Sequence, residues 1–98
     1  MTKVSILPAA RRDLAEARAW YEQRAEGFGD EFIALVDATL EAVRRSPEAH
    51  RLVLGPDRRA LVRRFPYAIY YESTGDQVMV YAVTHGSQNP QKWRERLR

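Results

Sequence analysis

The chain has 98 residues, 45% hydrophobic and 30% charged, with a formal net charge of +3 and no cysteine. That length supports one core but not two, and the balance is that of a folded chain rather than a disordered one. Lack of cysteine excludes disulfides, thiolate nucleophiles and most structural zinc sites, and no stretch approaches the ~20 apolar residues of a membrane span.

The charge is divided unevenly. Residues 1–49 carry 7 basic and 9 acidic side chains, whereas residues 50–98 carry 9 basic and 4 acidic. The basic half suits a phosphate backbone, an acidic protein surface or simply a solvated exterior. Met1 to Ala10 holds one lysine and no apolar run, and Pro8 interrupts it. It therefore does not read as a secretory signal, and a cytoplasmic location is expected. With no repeat, low-complexity segment or linker, residues 1–98 are expected to form one domain.

Val4 and Ile6 mark a short first strand. Pro8 can open a helix, because its missing N–H would have no partner in the first turn. Ala10, Leu14, Ala17 and Tyr21 then recur at helical steps, and Gly27 with Gly29 is expected to end the helix. Phe32, Leu35, Val36, Leu40 and Val43 make a second apolar stripe. Asp30 and Glu31 stand near its positive end, Arg44 and Arg45 sit in its last turn, and Pro47 stops it. The short link between the helices predicts an antiparallel hairpin, in which each helix depends on the other for stability.

Residues 50–58 read as a loop with Gly55-Pro56-Asp57 as its turn. The period then changes to two. Leu61 to Phe65 and Tyr67 to Tyr71 read as successive strands with Pro66 between them. On that reading Arg63 and Arg64 point to opposite faces. Thr74-Gly75-Asp76 makes a tight turn, and Val78 to Val83 is apolar at both parities, as a central strand requires. Pro90 to Leu97 is predicted as a short helix. The sum is an α+β fold: an N-terminal strand, an antiparallel helical hairpin, a three-stranded antiparallel meander and a short C-terminal helix. The hairpin should cover one face of the sheet. The other face, with its Tyr, Ile and Val side chains, is expected to be an exposed apolar surface that marks a partner site.

Several segments resemble the RelE/ParE superfamily of toxins from type II toxin–antitoxin systems, within it the ParE-like "plasmid stabilization" branch. They are Pro8 to Leu14, Trp20-Tyr21-Glu22, Gly29 to Phe32, Arg63 to Glu72, Val80 to Gly86, Asn89-Pro90 and Trp93 to Arg96. The resemblance implies a toxin neutralised by a ParD-like antitoxin, whose disordered C-terminal arm folds onto an apolar groove and a sheet edge. Operator DNA would be met only through the antitoxin. ParE-like members inhibit DNA gyrase by binding it, and RelE-like members cleave messenger RNA at the ribosome. An inactive homologue that only binds antitoxin is a further alternative. The tail departs from the superfamily's usual His-Gly-x-Arg-Asp-Pro, reading His85-Gly86-Ser87-Gln88-Asn89-Pro90.

A metal-independent ribonuclease needs a base, cations for the phosphorane and an acid. His85 and His50 are the groups that titrate near neutrality, and Arg63 or Arg64, one of the two, would join His85 in such a site. Arg58, Arg59, Arg64, His85 and Arg94 are candidates for contacting a target. Leu61, Phe65, Tyr70, Tyr81 and Trp20 are candidates for the antitoxin surface. Each also has a plain structural use: the tyrosines as sheet packing, Trp20 and Trp93 as core or docking residues, His85 as a turn partner. The RelE-like pattern uses a lysine cluster and a tail Tyr or His. This chain has only Lys3 and Lys92, and neither Tyr nor His after His85. A gyrase binder needs a surface rather than an acid–base pair, so that reading is preferred. Glu16, Glu22, Glu26, Asp30 and Glu31 read as solvated or capping. No metal or cofactor motif is present.

Overall fold

A computed structural model describes residues 2–86 and 95–96. The element order is β1 (Lys3–Ile6), α1 (Pro8–Arg24), α2 (Phe28–Arg45), a 3-10 turn (Pro47–Ala49), β2 (Arg51–Leu54), β3 (Asp57–Leu61), β4 (Tyr67–Thr74) and β5 (Gln77–His85). The strands form one sheet in the order β1-β5-β4-β3-β2, and both helices pack on one of its faces. The fold is α+β, as expected. The predicted C-terminal helix falls largely outside the described residues.

Three expectations about the strands need correction. Residues 50–58 are not a loop. They hold β2 and the start of β3, joined at Gly55, whose φ of 53° suits glycine. This hairpin was illegible because β2 is an edge strand with Leu52 and Leu54 both exposed, so no inside–outside alternation exists to read. The antiparallel run therefore has four strands rather than three, and β1 joins it parallel to β5, so the sheet is mixed.

The strand expected over Leu61 to Phe65 is displaced. β3 ends at Leu61, and Val62 to Pro66 form a turn closed by a bond from the Val62 N–H to the Tyr67 carbonyl, 3.0 Å. Pro66 offers no N–H to a ladder, and the turn carries Val62 and Phe65 into the core under the helices. Arg63 and Arg64 thus lie on a turn and not on opposite faces of a strand. Arg64 takes φ 69°, the left-handed region, which costs roughly 1–2 kcal/mol for a residue with a Cβ.

The helical hairpin formed as its stripes predicted, with one change. Gly27, at φ 84°, makes the left-handed turn between the helices. Gly29 does not end α1 but lies inside α2, where an added Cβ would sit 2.7 Å from the Arg18 carbonyl oxygen. Its absence lets the helices close. Glu22 then caps α2: its carboxylate accepts the Gly27 and Gly29 N–H groups, each at 2.9 Å.

Beneath the hairpin lies a cluster of rings. Tyr21 meets Phe65 edge-on at 4.8 Å and Phe28 at 5.1 Å, and Phe32 meets Tyr67 at 5.1 Å and Phe65 at 5.2 Å. Such pairs contribute about 0.5–1.5 kcal/mol each beyond simple burial. Val36, Val43, Ile69, Tyr71, Val78 and Val80 continue this core along the sheet.

Candidate interaction surface

The face of the sheet turned away from the helices is built by strand alternation. Register aligns Leu61, Ala68 and Thr84 in one row, then Arg51, Arg59, Tyr70 and Ala82, then Leu54, Asp57, Glu72 and Met79. A bulge in β5 leaves Tyr81 without an opposite number, since Tyr70 pairs with Ala82 and Tyr71 with Val80. The bulge turns Tyr81 onto the open face, where it packs with Ala68, Tyr70 and Ala82.

This face is not the broad exposed apolar surface expected. Tyr70, Tyr81, Ala82 and Ala68 are all buried, with Leu7 and Val53 packed against them. The apolar exposure lies instead toward the β2–β3 edge. Leu61 is 67% exposed, Leu52 52% and Leu54 47%. Met79 is a further exposed side chain, and Trp20 stands out from α1 with the Arg24 guanidinium 3.5 Å over its ring.

The centre of the face is polar below its rings. Asp57 is buried within the sheet, opposite Glu72. Burial pushes the Tyr81 phenol well above its usual pKa, and the neighbouring Asp57 carboxylate adds to the shift. Two arginines, Arg51 and Arg59, stand directly opposite each other at the edge. Like charges in that relation oppose pairing unless anionic groups compensate them.

The structure separates the candidate residues into two groups. Arg58 is spent on the fold: its guanidinium donates to the Glu48 and His50 carbonyls at 3.2 and 2.7 Å. His50 lies edge-on to Tyr71. Phe65 belongs to the core under the helices, and Tyr70 and Tyr81 are buried, so none of the three presents a bare apolar surface. Arg63, Arg64 and Leu61 are exposed, Arg64 with a loose ion pair to Glu31 at 3.7 Å, and Arg59 is half-buried.

His85 ends β5 opposite Tyr67, its ring 5.3 Å from that phenol ring. The Gly86 N–H donates to the Pro66 carbonyl, so the Arg63–Arg64 turn and His85 share one end of the sheet. Arg94 lies outside the described residues. Those that are described include no group of three or more metal-ligating side chains, and no helix long and apolar enough to cross a membrane.

Sequence reading missed the leucines of β2 and the burial of two acids, Asp57 and Asp13. Asp13 sits on the α1 stripe, three residues after Ala10 and four before Ala17, yet is only 8% exposed. An acid within an apolar stripe was the available signal. Its carboxylate accepts the Val83 N–H at 2.9 Å and both terminal nitrogens of Arg96, at 2.5 and 3.0 Å.

Comparison with known proteins agrees with this architecture. A solved structure titled "Chromosomal ParDE TA system from P. aeruginosa" covers 87% of this chain and 96% of its own, with a TM-score of 0.63 at 13% identity, a likeness of fold. "Toxin ParE2" of Mycobacterium tuberculosis, in strains CDC 1551 / Oshkosh and ATCC 25618 / H37Rv, is 32% identical over 79 residues, 80% of this chain and 75% of the relative. The family model for the ParE toxin of type II toxin-antitoxin system, parDE, matches residues 4–90. With its hairpin-covered sheet and that match along most of its length, the chain belongs to the ParE toxin family.

Proposed function

We propose that this protein is a toxin that inhibits DNA gyrase by direct binding and is neutralised by a ParD-like antitoxin. The observation that carries this reading is the match to the ParE model over residues 4–90, which favours the gyrase-binding branch over the RelE-like one. The side chains agree with it. Arg58 and His50 are engaged in packing and backbone contacts, as a structural role predicts, and Arg59 and Arg64 are cationic side chains left for a target.

The antitoxin arm fits the β2 edge. Leu52, Leu54 and Leu61 offer apolar contacts, the edge backbone offers a strand-pairing site, and the opposed Arg51 and Arg59 favour an acidic partner. An acidic, apolar segment of extended chain would satisfy all three. Trp20 lies on α1, so an arm that wraps the hairpin would reach it.

One observation favours a second reading, a ribosome-dependent ribonuclease: Arg63, Arg64 and His85 come together at one end of the sheet. The purified chain separates the two. Gyrase supercoiling should fall as the chain is added, and messenger RNA in a translation extract should stay intact. Cleavage of messenger RNA that is lost in His85→Ala, with supercoiling untouched, would replace the first reading by the second.

A further inference from the structure

We propose that Asp13 and Arg96 form a clasp that does the work of a pairing strand beside the end of β5 and fastens the Glu95–Arg96 segment to the sheet. The argument starts from strand lengths. β1 pairs with β5 only from Lys3–Gln77 to Ile6–Val80, and the last bond of the ladder runs from the Leu7 N–H to the Val80 carbonyl. At Pro8 the chain turns away into α1. β5 continues to His85, so among the described residues no strand lies beside its edge from Tyr81 onward.

Backbone groups on such an edge need partners, and here Tyr81, Ala82, Val83 and Thr84 are all buried. Two side chains supply what β1 would have supplied. Asp13 Oδ2 accepts the Val83 N–H, and Arg96 donates through Nη1 to the Tyr81 carbonyl at 3.4 Å. One acceptor and one donor thus replace a turn of ladder.

The two side chains also need each other. A buried carboxylate with a single backbone bond is poorly compensated, and the two-pronged guanidinium completes it. Arg96 is held strongly charged, by its bonds to Asp13 and with a smaller contribution from Glu16 one turn along α1. Its side chain is 24% exposed and that of Asp13 7%, so water screens the pair little. The contact joins residues 83 positions apart, one on the first helix and one next to the chain end. It therefore cannot be a local accident of helix geometry.

The clasp is tested in the full chain by amide exchange followed by NMR. Arg96→Met keeps the aliphatic stem and removes the charge, whereas Arg96→Lys keeps the charge and loses the fork. Val83 N–H exchange should quicken about tenfold in Arg96→Met and by less in Arg96→Lys, as expected for losing a charged hydrogen-bond partner. Amides in the middle of α2 should be unchanged. Asp13→Asn should quicken Val83 exchange further, and adding Arg96→Met to it should change little more. Both Arg96 substitutions lie at the chain end and leave the ring cluster intact, so they carry the test even if Asp13→Asn fails to fold. Val83 exchange at the wild-type rate in Arg96→Met, or effects of the two substitutions that simply add, would overturn the proposal.

Discussion

The two faces of the sheet are stabilised by different means. Under the hairpin, six rings and a row of valines exclude water. On the far face a narrow patch around Tyr70 and Tyr81 is bordered by opposed arginines, a buried acid and exposed leucines. The first arrangement is built for stability, since apolar burial is its main contribution. The second leaves apolar side chains in water at the β2 edge, a cost that is offset when a partner covers them.

The sharpest way to break this contrast is in the ring cluster. Phe32→Ala removes a side chain with no exposed surface that touches Tyr21, Phe65 and Tyr67. It should cost about 3–5 kcal/mol, read as a lower denaturation midpoint, and in a small domain that can abolish folding. A loss below about 1 kcal/mol would mean the cluster is not the main source of stability.

A smaller effect is expected from alkali. The Tyr71 hydroxyl donates to the Pro47 carbonyl at 2.5 Å, and burial pushes its pKa from 10.0 up to about 12, with Arg58 pulling the other way. A phenol with a raised pKa holds its proton more tightly when folded. Its contribution is therefore complete below pH 10.0 and lost as pH climbs toward about 12, a change on the order of 2 kcal/mol. Denaturation curves at pH 8 and pH 11 should show the fall, and Tyr71→Phe should flatten it. A remaining slope is expected from Tyr81, whose pKa is raised on the other face.

The smallest effect on stability should come from the edge. Leu61→Ser changes a side chain already 67% in water, so stability should move by less than about 0.5 kcal/mol. Affinity for the antitoxin should nevertheless weaken, as titration calorimetry would show. Unchanged affinity would move the docking surface away from β2 and β3.

Much of the fold was legible where periodicity was strong. Ala10, Ala17 and Tyr21 fall on the buried side of α1, Phe32, Val36 and Val43 on that of α2, and Val78 to Val83 lies in an interior strand. The family was legible too, because its short segments are spread in order along the whole chain. The candidate surface was less so. Tyr70 and Tyr81 are both candidates for the antitoxin surface, yet the bulge in β5 that puts Tyr81 beside Tyr70 leaves no mark in a run apolar at both parities. Arg58 and Arg59 looked equivalent as neighbours, but alternation sends only Arg58 toward the carbonyls of Glu48 and His50.

By itself the sequence determined the helical hairpin, the α+β class and the β4–β5 pair, because local apolar periods and turn residues encode them within a few positions. Only the tertiary structure decided the β2–β3 hairpin, the parallel docking of β1 and the burial of Asp13. Each of those depends on which backbone groups lack a neighbour once the sheet is assembled, and that is a property of contacts between residues far apart in the chain.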